Sequence, residues 1–104
     1  RPEELTDIRR KGALQVRNGT LGIYYGALTS VSDQRIKVEN RLRTLTALAD
    51  TSSVFAESLP DDRRKLIADL ANSVIESAPD ALRKPLLTIQ RSMRESGCSA
   101  LCKL

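Results

Sequence analysis

The chain has 104 residues, of which 40% are hydrophobic and 3% aromatic, and this length allows one domain with a core of aliphatic side chains. It contains no histidine, which excludes catalytic triads, metal sites and general bases that depend on imidazole. Its 17 basic and 13 acidic side chains give a net charge of +4, short of the dense positive charge of a dedicated nucleic-acid-binding domain.

The N-terminal half predicts helical structure. Pro2 stands at a helix start, and the acidic side chains that follow it suit the positive end of a helix dipole. Aliphatic residues then recur at heptad-like spacing, which predicts helices over residues 3–17 and 20–49 that form one very long helix or one broken helix. The main alternative is a break at Asn18-Gly19, because Asn-Gly is a strong turn signal.

Glycines in this half share one helical face. Gly12, Gly19, Gly22 and Gly26 are spaced by seven, three and four residues, which places them on the same side of a continuous helix. Small residues at such spacing allow two helix backbones to approach closely, and the partner helix is either the chain's own segment Leu66–Ile75 or part of another subunit. Loop glycines are the competing interpretation. The residues assigned to partner binding are Gly19, Gly22, Ile23, Tyr24, Tyr25 and Gly26.

The second half predicts two shorter helices. Residues 50–53, which are Asp-Thr-Ser-Ser, end the preceding helix or cap a short next one, and Pro60 closes residues 54–59. Asp61 or Asp62 is the predicted N-cap of a helix over residues 61–78. A last helix over residues 82–96 follows Pro79, and the short link between the two favours antiparallel neighbours.

The predicted fold is therefore all-α, with three to four helices: one long N-terminal helix, with or without a break near Asn18-Gly19, and then a shorter antiparallel pair. Residues 1–97 form a single helical domain and residues 98–104 a short C-terminal tail. The predicted core consists of Leu28, Val31, Val38, Leu42, Leu45, Leu66, Leu70, Val74, Leu86, Ile89 and Met93.

Two further sets of residues suggest chemistry. Basic residues in the N-terminal half form a candidate phosphate-binding face, for which a solvated surface with local salt bridges is the competing interpretation. Cys98 and Cys102 lie four residues apart, which fits neither a redox motif nor a metal site. In an oxidising compartment they could form a disulfide with each other or with a partner, and in a reducing compartment they are plain small residues, which is the favoured interpretation. The compartment stays open. The candidate phosphate-binding residues are Arg9, Arg10, Lys11, Arg17, Arg41 and Arg43.

These observations predict a non-enzymatic helical protein–protein interaction module, a small structural or accessory subunit of a larger assembly. The sequence assigns no catalytic residue, cofactor or metal ligand, and its apolar residues exceed what a small bundle buries, which is typical of contact surfaces. We expect a protein partner or a homo-oligomer, with electrostatic nucleic-acid binding as the alternative function. No apolar run approaches the ~18 residues of a membrane span, so no membrane-spanning segment is expected.

Overall fold

A computed structural model describes Lys11 and residues 18–95 of the chain. Within these residues the protein is helical and contains no strand, which confirms the predicted all-α fold. The described part of helix α1 covers residues 18–29, α2 covers Val38–Glu57, α3 covers Asp61–Ile75 and α4 covers Asp80–Glu95. The predictions for the helix over residues 3–17 and for the tail at residues 98–104 fall outside the described residues, apart from Lys11, which is helical.

Helix α1 runs through the glycine-rich segment. Asn18 and Gly19 are both helical, so the turn that Asn-Gly signals does not form at these two residues. No described glycine has a positive φ. The helical interpretation of residues 19–26 is therefore confirmed, in spite of the cost of about 1 kcal/mol for each glycine in a helix interior.

The predicted continuous helix over residues 20–49 is wrong in its middle, because residues 30–37 form turns that separate α1 from α2. Ser30 Oγ and Val31 N each donate a hydrogen bond to the carbonyl oxygen three residues earlier, at 2.9 and 3.3 Å. These bonds use carbonyls at the end of α1 that would otherwise accept from the next helical turn.

Asp33 holds the turn that follows. Its carboxylate accepts a hydrogen bond from the backbone N–H of Arg35 at 3.0 Å and two more from the Arg35 guanidinium at 3.0 and 2.9 Å. These hydrogen bonds keep the pKa of Asp33 below its ordinary value. Because a short acidic side chain bound to the backbone two residues on stabilises a turn, residues 33–35 favour this turn over a helix.

Helix α2 continues through residues 50–53, where the sequence predicted an end or a new cap. The hydroxyl groups there bond back into the helix: Thr51 Oγ1 donates to Ala47 O at 3.1 Å and Ser52 Oγ donates to Ala49 O at 2.8 Å. With their polar atoms satisfied inside the helix, these residues do not terminate it. The helix ends only at Glu57, just before Pro60.

The two later helices are close to their predicted positions. Helix α3 begins at Asp61 and ends at Ile75, earlier than the predicted residue 78. Its N-cap is Pro60, so the prediction that Asp61 or Asp62 is the N-cap is wrong. Asp62 lies in the first turn instead, where its Oδ1 accepts a hydrogen bond from the N–H of Arg63 at 3.0 Å. Helix α4 begins at Asp80, two residues before the predicted start, and it contains Pro85.

Helix α4 lies between α2 and α3 and packs against both. Gln90 Nε2 donates to Asn72 Oδ1 of α3 at 3.0 Å, and Met93 lies beside the N-terminal residues of α3. Residue numbers therefore rise along α4 as they fall along α3. On its other side, the hydroxyls of Ser92 and Ser52 of α2 are 2.7 Å apart, and α4 thus links the two halves of the bundle.

The core confirms most of the predicted set. Leu66 is the exception, because 44% of it is exposed while the adjacent Ile67 is fully buried. Several residues outside the predicted core are also fully buried. The predicted residues that are buried are Leu28, Val31, Leu45, Leu86, Ile89 and Met93, and those partly buried are Val38, Leu42, Leu70 and Val74. The largest missed residues are Tyr24, Leu59, Ile67 and Leu82.

Candidate interaction surface on the first helix

One side of α1 faces solvent and carries most of the residues assigned to partner binding. At 3.6 residues per turn, Gly19, Gly22 and Gly26 form a central row, with Ile23 on one side and Tyr25 on the other. The exposed fractions are 58% for Ile23 and 46% for Tyr25, and the glycines are exposed as well. We call these five residues the α1 outer face.

The glycine row is open. Among the described residues, a Cβ atom built on Gly19, Gly22 or Gly26 meets no atom within 4 Å beyond its chain neighbours and the nearby backbone of its own helix. The hypothesis that these glycines pack against the chain's own Leu66–Ile75 segment is therefore wrong for the described structure. Gly12, the remaining member of the predicted row, lies outside the described residues.

Tyr24 belongs to the core instead of the α1 outer face, which corrects its assignment to partner binding. It is completely buried, its hydroxyl donates to Leu48 O at 3.1 Å, and its ring packs edge-on against Phe55 with ring centroids 6.2 Å apart. Burial raises the pKa of Tyr24 to about 12, although a hydrogen bond with Thr51 acts in the opposite direction.

Tyr24 thus fixes how α1 sits on α2. Thr20 and Leu28, four residues before and after it, are also buried, so these residues define the inner face of α1. The α1 outer face lies on the opposite side because helical geometry separates the two sets of positions. The sequence could have indicated this division, since Tyr24 shares the spacing of Leu28, whereas Tyr25 does not.

The candidate phosphate-binding residues do not form one surface in the described part of the chain. Arg41 is buried, and its Nη1 donates to Val31 O at 2.6 Å, so this guanidinium holds the turn between α1 and α2. Arg43 and Lys11 are exposed. The prediction that Arg41 presents its charge to a phosphate is therefore wrong. The structure does not describe Arg9, Arg10 and Arg17, nor Cys98 and Cys102.

The sequence analysis missed a second buried guanidinium, that of Arg64 on α3, of which 6% is exposed. It lines a cavity between α3 and α4 that also contains Lys65 and Arg94. The available signal was its spacing: Arg64 lies three and four residues before the buried Ile67 and Ala68, so a charged side chain falls within an apolar stripe.

Comparison with known protein families, curated proteins and solved structures finds no match to this chain. Among the described helices, none combines the length and apolar character that crossing a membrane requires.

Proposed function

We propose that the chain is a non-enzymatic helical protein–protein interaction module, a small structural or accessory subunit that contacts its partner through the α1 outer face. One observation carries this proposal: nothing in the described part of the chain requires glycine on that face. Neither a positive φ nor a close intramolecular contact requires glycine at these positions.

Glycines destabilise helix α1 itself. Each glycine in a helix interior costs about 1 kcal/mol relative to alanine, so Gly22 and Gly26 together cost about 2 kcal/mol. Close packing of a second helix backbone against the open row would recover this free energy through dispersion contacts. Ile23 and Tyr25 would add buried apolar area along the two sides of the row.

The shape of the α1 outer face favours a helix as the partner element. A row of glycines between two larger side chains forms a shallow groove parallel to the helix axis, and an antiparallel or parallel helix can follow such a groove along several turns. The partner is a helix of another polypeptide, and a second copy of this chain meets the same requirement.

Substitution of Gly22 tests the proposal. Space around Gly22 is open, so we expect Gly22→Ala and Gly22→Leu both to fold, with alanine stabilising the isolated chain by about 0.5–1 kcal/mol. Leucine, but not alanine, blocks close approach of a second backbone. Gly22→Leu should therefore abolish association, measured by sedimentation equilibrium for a second copy and by affinity isolation from the native source for another protein.

Ala47→Leu is the matched control, because it adds comparable bulk to an exposed position of α2. We expect this variant to associate as the unsubstituted chain does. If Gly22→Leu and Ala47→Leu keep the same association, the α1 outer face is not the contact surface and its glycines are unconstrained positions.

A further inference from the structure

A second feature lies between α3 and α4. A cavity of about 420 Å³ opens between the N-terminal turns of α3 and the C-terminal end of α4. Its lining is mostly charged, with Met93 as an apolar component. The charged residues that line it are Asp61, Arg64, Lys65, Asp69 and Arg94.

Arg64 is the unusual member of this set. Its side chain is 8% exposed, and its Nη2 pairs with the carboxylate of Asp61 one helical turn earlier. Its Nε and Nη1 are buried without a hydrogen-bond partner. A guanidinium has five N–H donors, and buried donors without acceptors are unfavourable, so this group lacks acceptors that a bound oxyanion would supply.

Asp61 occupies the one nitrogen that both forked edges of the guanidinium share. Bidentate binding of an oxyanion uses Nη2 together with either Nε or Nη1, and Nη2 carries one N–H for each of these edges. An anion that binds on the edge facing Asp61 must therefore replace that carboxylate. The Asp61 side chain is 87% exposed, and its carboxylate can turn into water without rearrangement of the core. The Asp61 carboxylate therefore acts as an internal acceptor for Arg64 that a bound anion can replace.

Once the Asp61 carboxylate has turned into water, the net positive charge of the other residues that line the cavity matches the negative charge of a phosphate. Arg64, Lys65 and Arg94 then face Asp69 alone, and a phosphate group carries about −1.5 to −2 at neutral pH. The start of α3 contributes in the same direction only through the positive end of its helix dipole. The N–H groups of Arg63 and Arg64 already donate to Pro60 O at 3.1 Å, and that of Arg63 also donates to Asp62 Oδ1 at 3.0 Å.

We propose that this cavity binds a phosphate group, either free phosphate or a phosphate monoester, with Arg64 as the bidentate anchor and Asp61 as the carboxylate that the phosphate displaces. Lys65 and Arg94 contribute charge at the rim. This site is independent of the α1 outer face, so either can fail without the other.

The test is a titration of the folded chain with inorganic phosphate and, separately, with O-phosphoserine, followed by amide chemical shifts at constant ionic strength. We expect saturable shifts in the first turns of α3 and the last turn of α4. Saturation by inorganic phosphate alone identifies free phosphate as the ligand, and tighter binding of O-phosphoserine identifies a monoester. Absence of saturation with both overturns the proposal.

Two variants and one control give the test its specificity. Arg64→Gln should weaken binding about tenfold or more, because it removes a charge-assisted bidentate contact. Arg63→Gln removes the same charge from an exposed neighbour that does not line the cavity, and should change affinity by less than about threefold because an exposed charge contributes little. Equal weakening by both variants would show a general charge effect and overturn the site.

Asp61→Asn keeps the proposal testable if Arg64→Gln does not fold. It removes the competing carboxylate at an exposed position, so we expect phosphate to bind several-fold more tightly. Unchanged or weaker binding in folded Asp61→Asn would overturn the displacement of Asp61 and the role of Arg64 as anchor.

Discussion

Tyr24 shows how one side chain decides the orientation of a helix. It is one of only three aromatic residues, two tyrosines and one phenylalanine, and it is the tyrosine that packs against Phe55. A buried tyrosine requires a partner for its hydroxyl, and Leu48 O supplies one at 3.1 Å. The adjacent Tyr25 has 46% of its surface exposed, so neighbouring residues of the same type have different roles.

Substitution of Tyr24 by Phe should make stability less sensitive to alkaline pH. The folded-state pKa of Tyr24 is about 12 against an ordinary value of 10.0, so its contribution is complete below pH 10 and is lost as pH rises towards 12. Over that interval the unsubstituted protein should lose about 2–3 kcal/mol more unfolding free energy than Tyr24→Phe. Urea denaturation of both proteins at several pH values measures this difference.

The same variant has a smaller effect at neutral pH. It removes one buried hydrogen bond, so Tyr24→Phe should lower the unfolding free energy by about 1 kcal/mol. Tyr25→Phe is the control, since that residue is partly exposed and its substitution should change stability by less than about 0.5 kcal/mol. Equal alkaline losses in the protein and in Tyr24→Phe would contradict the assignment of Tyr24 to the core.

The burial of arginine side chains is the feature in which the structure differs most from what the sequence predicts. Arg41 and Arg64 are both nearly buried, although arginine is rarely buried unless its charge is paired. Arg41 donates to Val31 O at the α1–α2 turn and Arg64 pairs with Asp61. The turn between the two helices places Val31 O beside Arg41, and no local pattern of residues records that placement. Asp61 lies only three residues before Arg64, so their pairing is local, but the burial of Arg64 depends on the packing of α3.

At the scale of helices, two hydroxyl-rich segments illustrate what sequence reading can resolve. Side chains of residues 50–53 form hydrogen bonds within α2, and the helix continues through them. Residues 30–37, in contrast, form the turns that separate α1 from α2. Both contain Ser and Asp, which favour caps and turns. The difference arises from Asp33, which binds the N–H of Arg35, and from the packing of Ser52 against Ser92 on α4. The second contact joins residues distant in sequence and could not be predicted.

Helix α3 shows the same limit in the choice of its buried face. Leu66, Leu70 and Val74 stand at helical spacing and predict one apolar stripe, while Ile67, Ala68 and Ala71 form another. Large aliphatic residues favour the first stripe, but the second is the buried one. Alanines on the buried face allow α3 to approach α4 closely, so the smaller residues mark the contact.

Alanine substitutions at two neighbouring residues of α3 distinguish these stripes. Ile67 is fully buried and Leu66 is 44% exposed, so Ile67→Ala should lower the unfolding free energy by about 2–4 kcal/mol and Leu66→Ala by less than about 1 kcal/mol. Chemical denaturation measures both values. A larger loss for Leu66→Ala would mean that α3 presents its other face to the core.

At the scale of the whole molecule, α4 is the helix against which both α2 and α3 pack. The sequence predicted this helix well, because its buried Leu82, Leu86, Ile89 and Met93 follow a single stripe at helical spacing. The sequence did not show that α4 lies between α2 and α3, since that position is set by contacts between distant residues. Ser92 reaches α2 and Gln90 reaches α3 from opposite sides of the same helix.

A central helix of this kind should make unfolding cooperative across the bundle. Ile89 is fully buried, so Ile89→Ala should remove about 2–4 kcal/mol of unfolding free energy. Because α2 and α3 both pack on α4, hydrogen exchange of their slowest amides should accelerate by the same factor in this variant. Leu87→Ala is the control, since Leu87 is 46% exposed and its loss should leave those rates nearly unchanged. Acceleration confined to α3, with α2 still protected, would show that α1 and α2 form a separate cooperative unit, and α4 would then not couple the two halves.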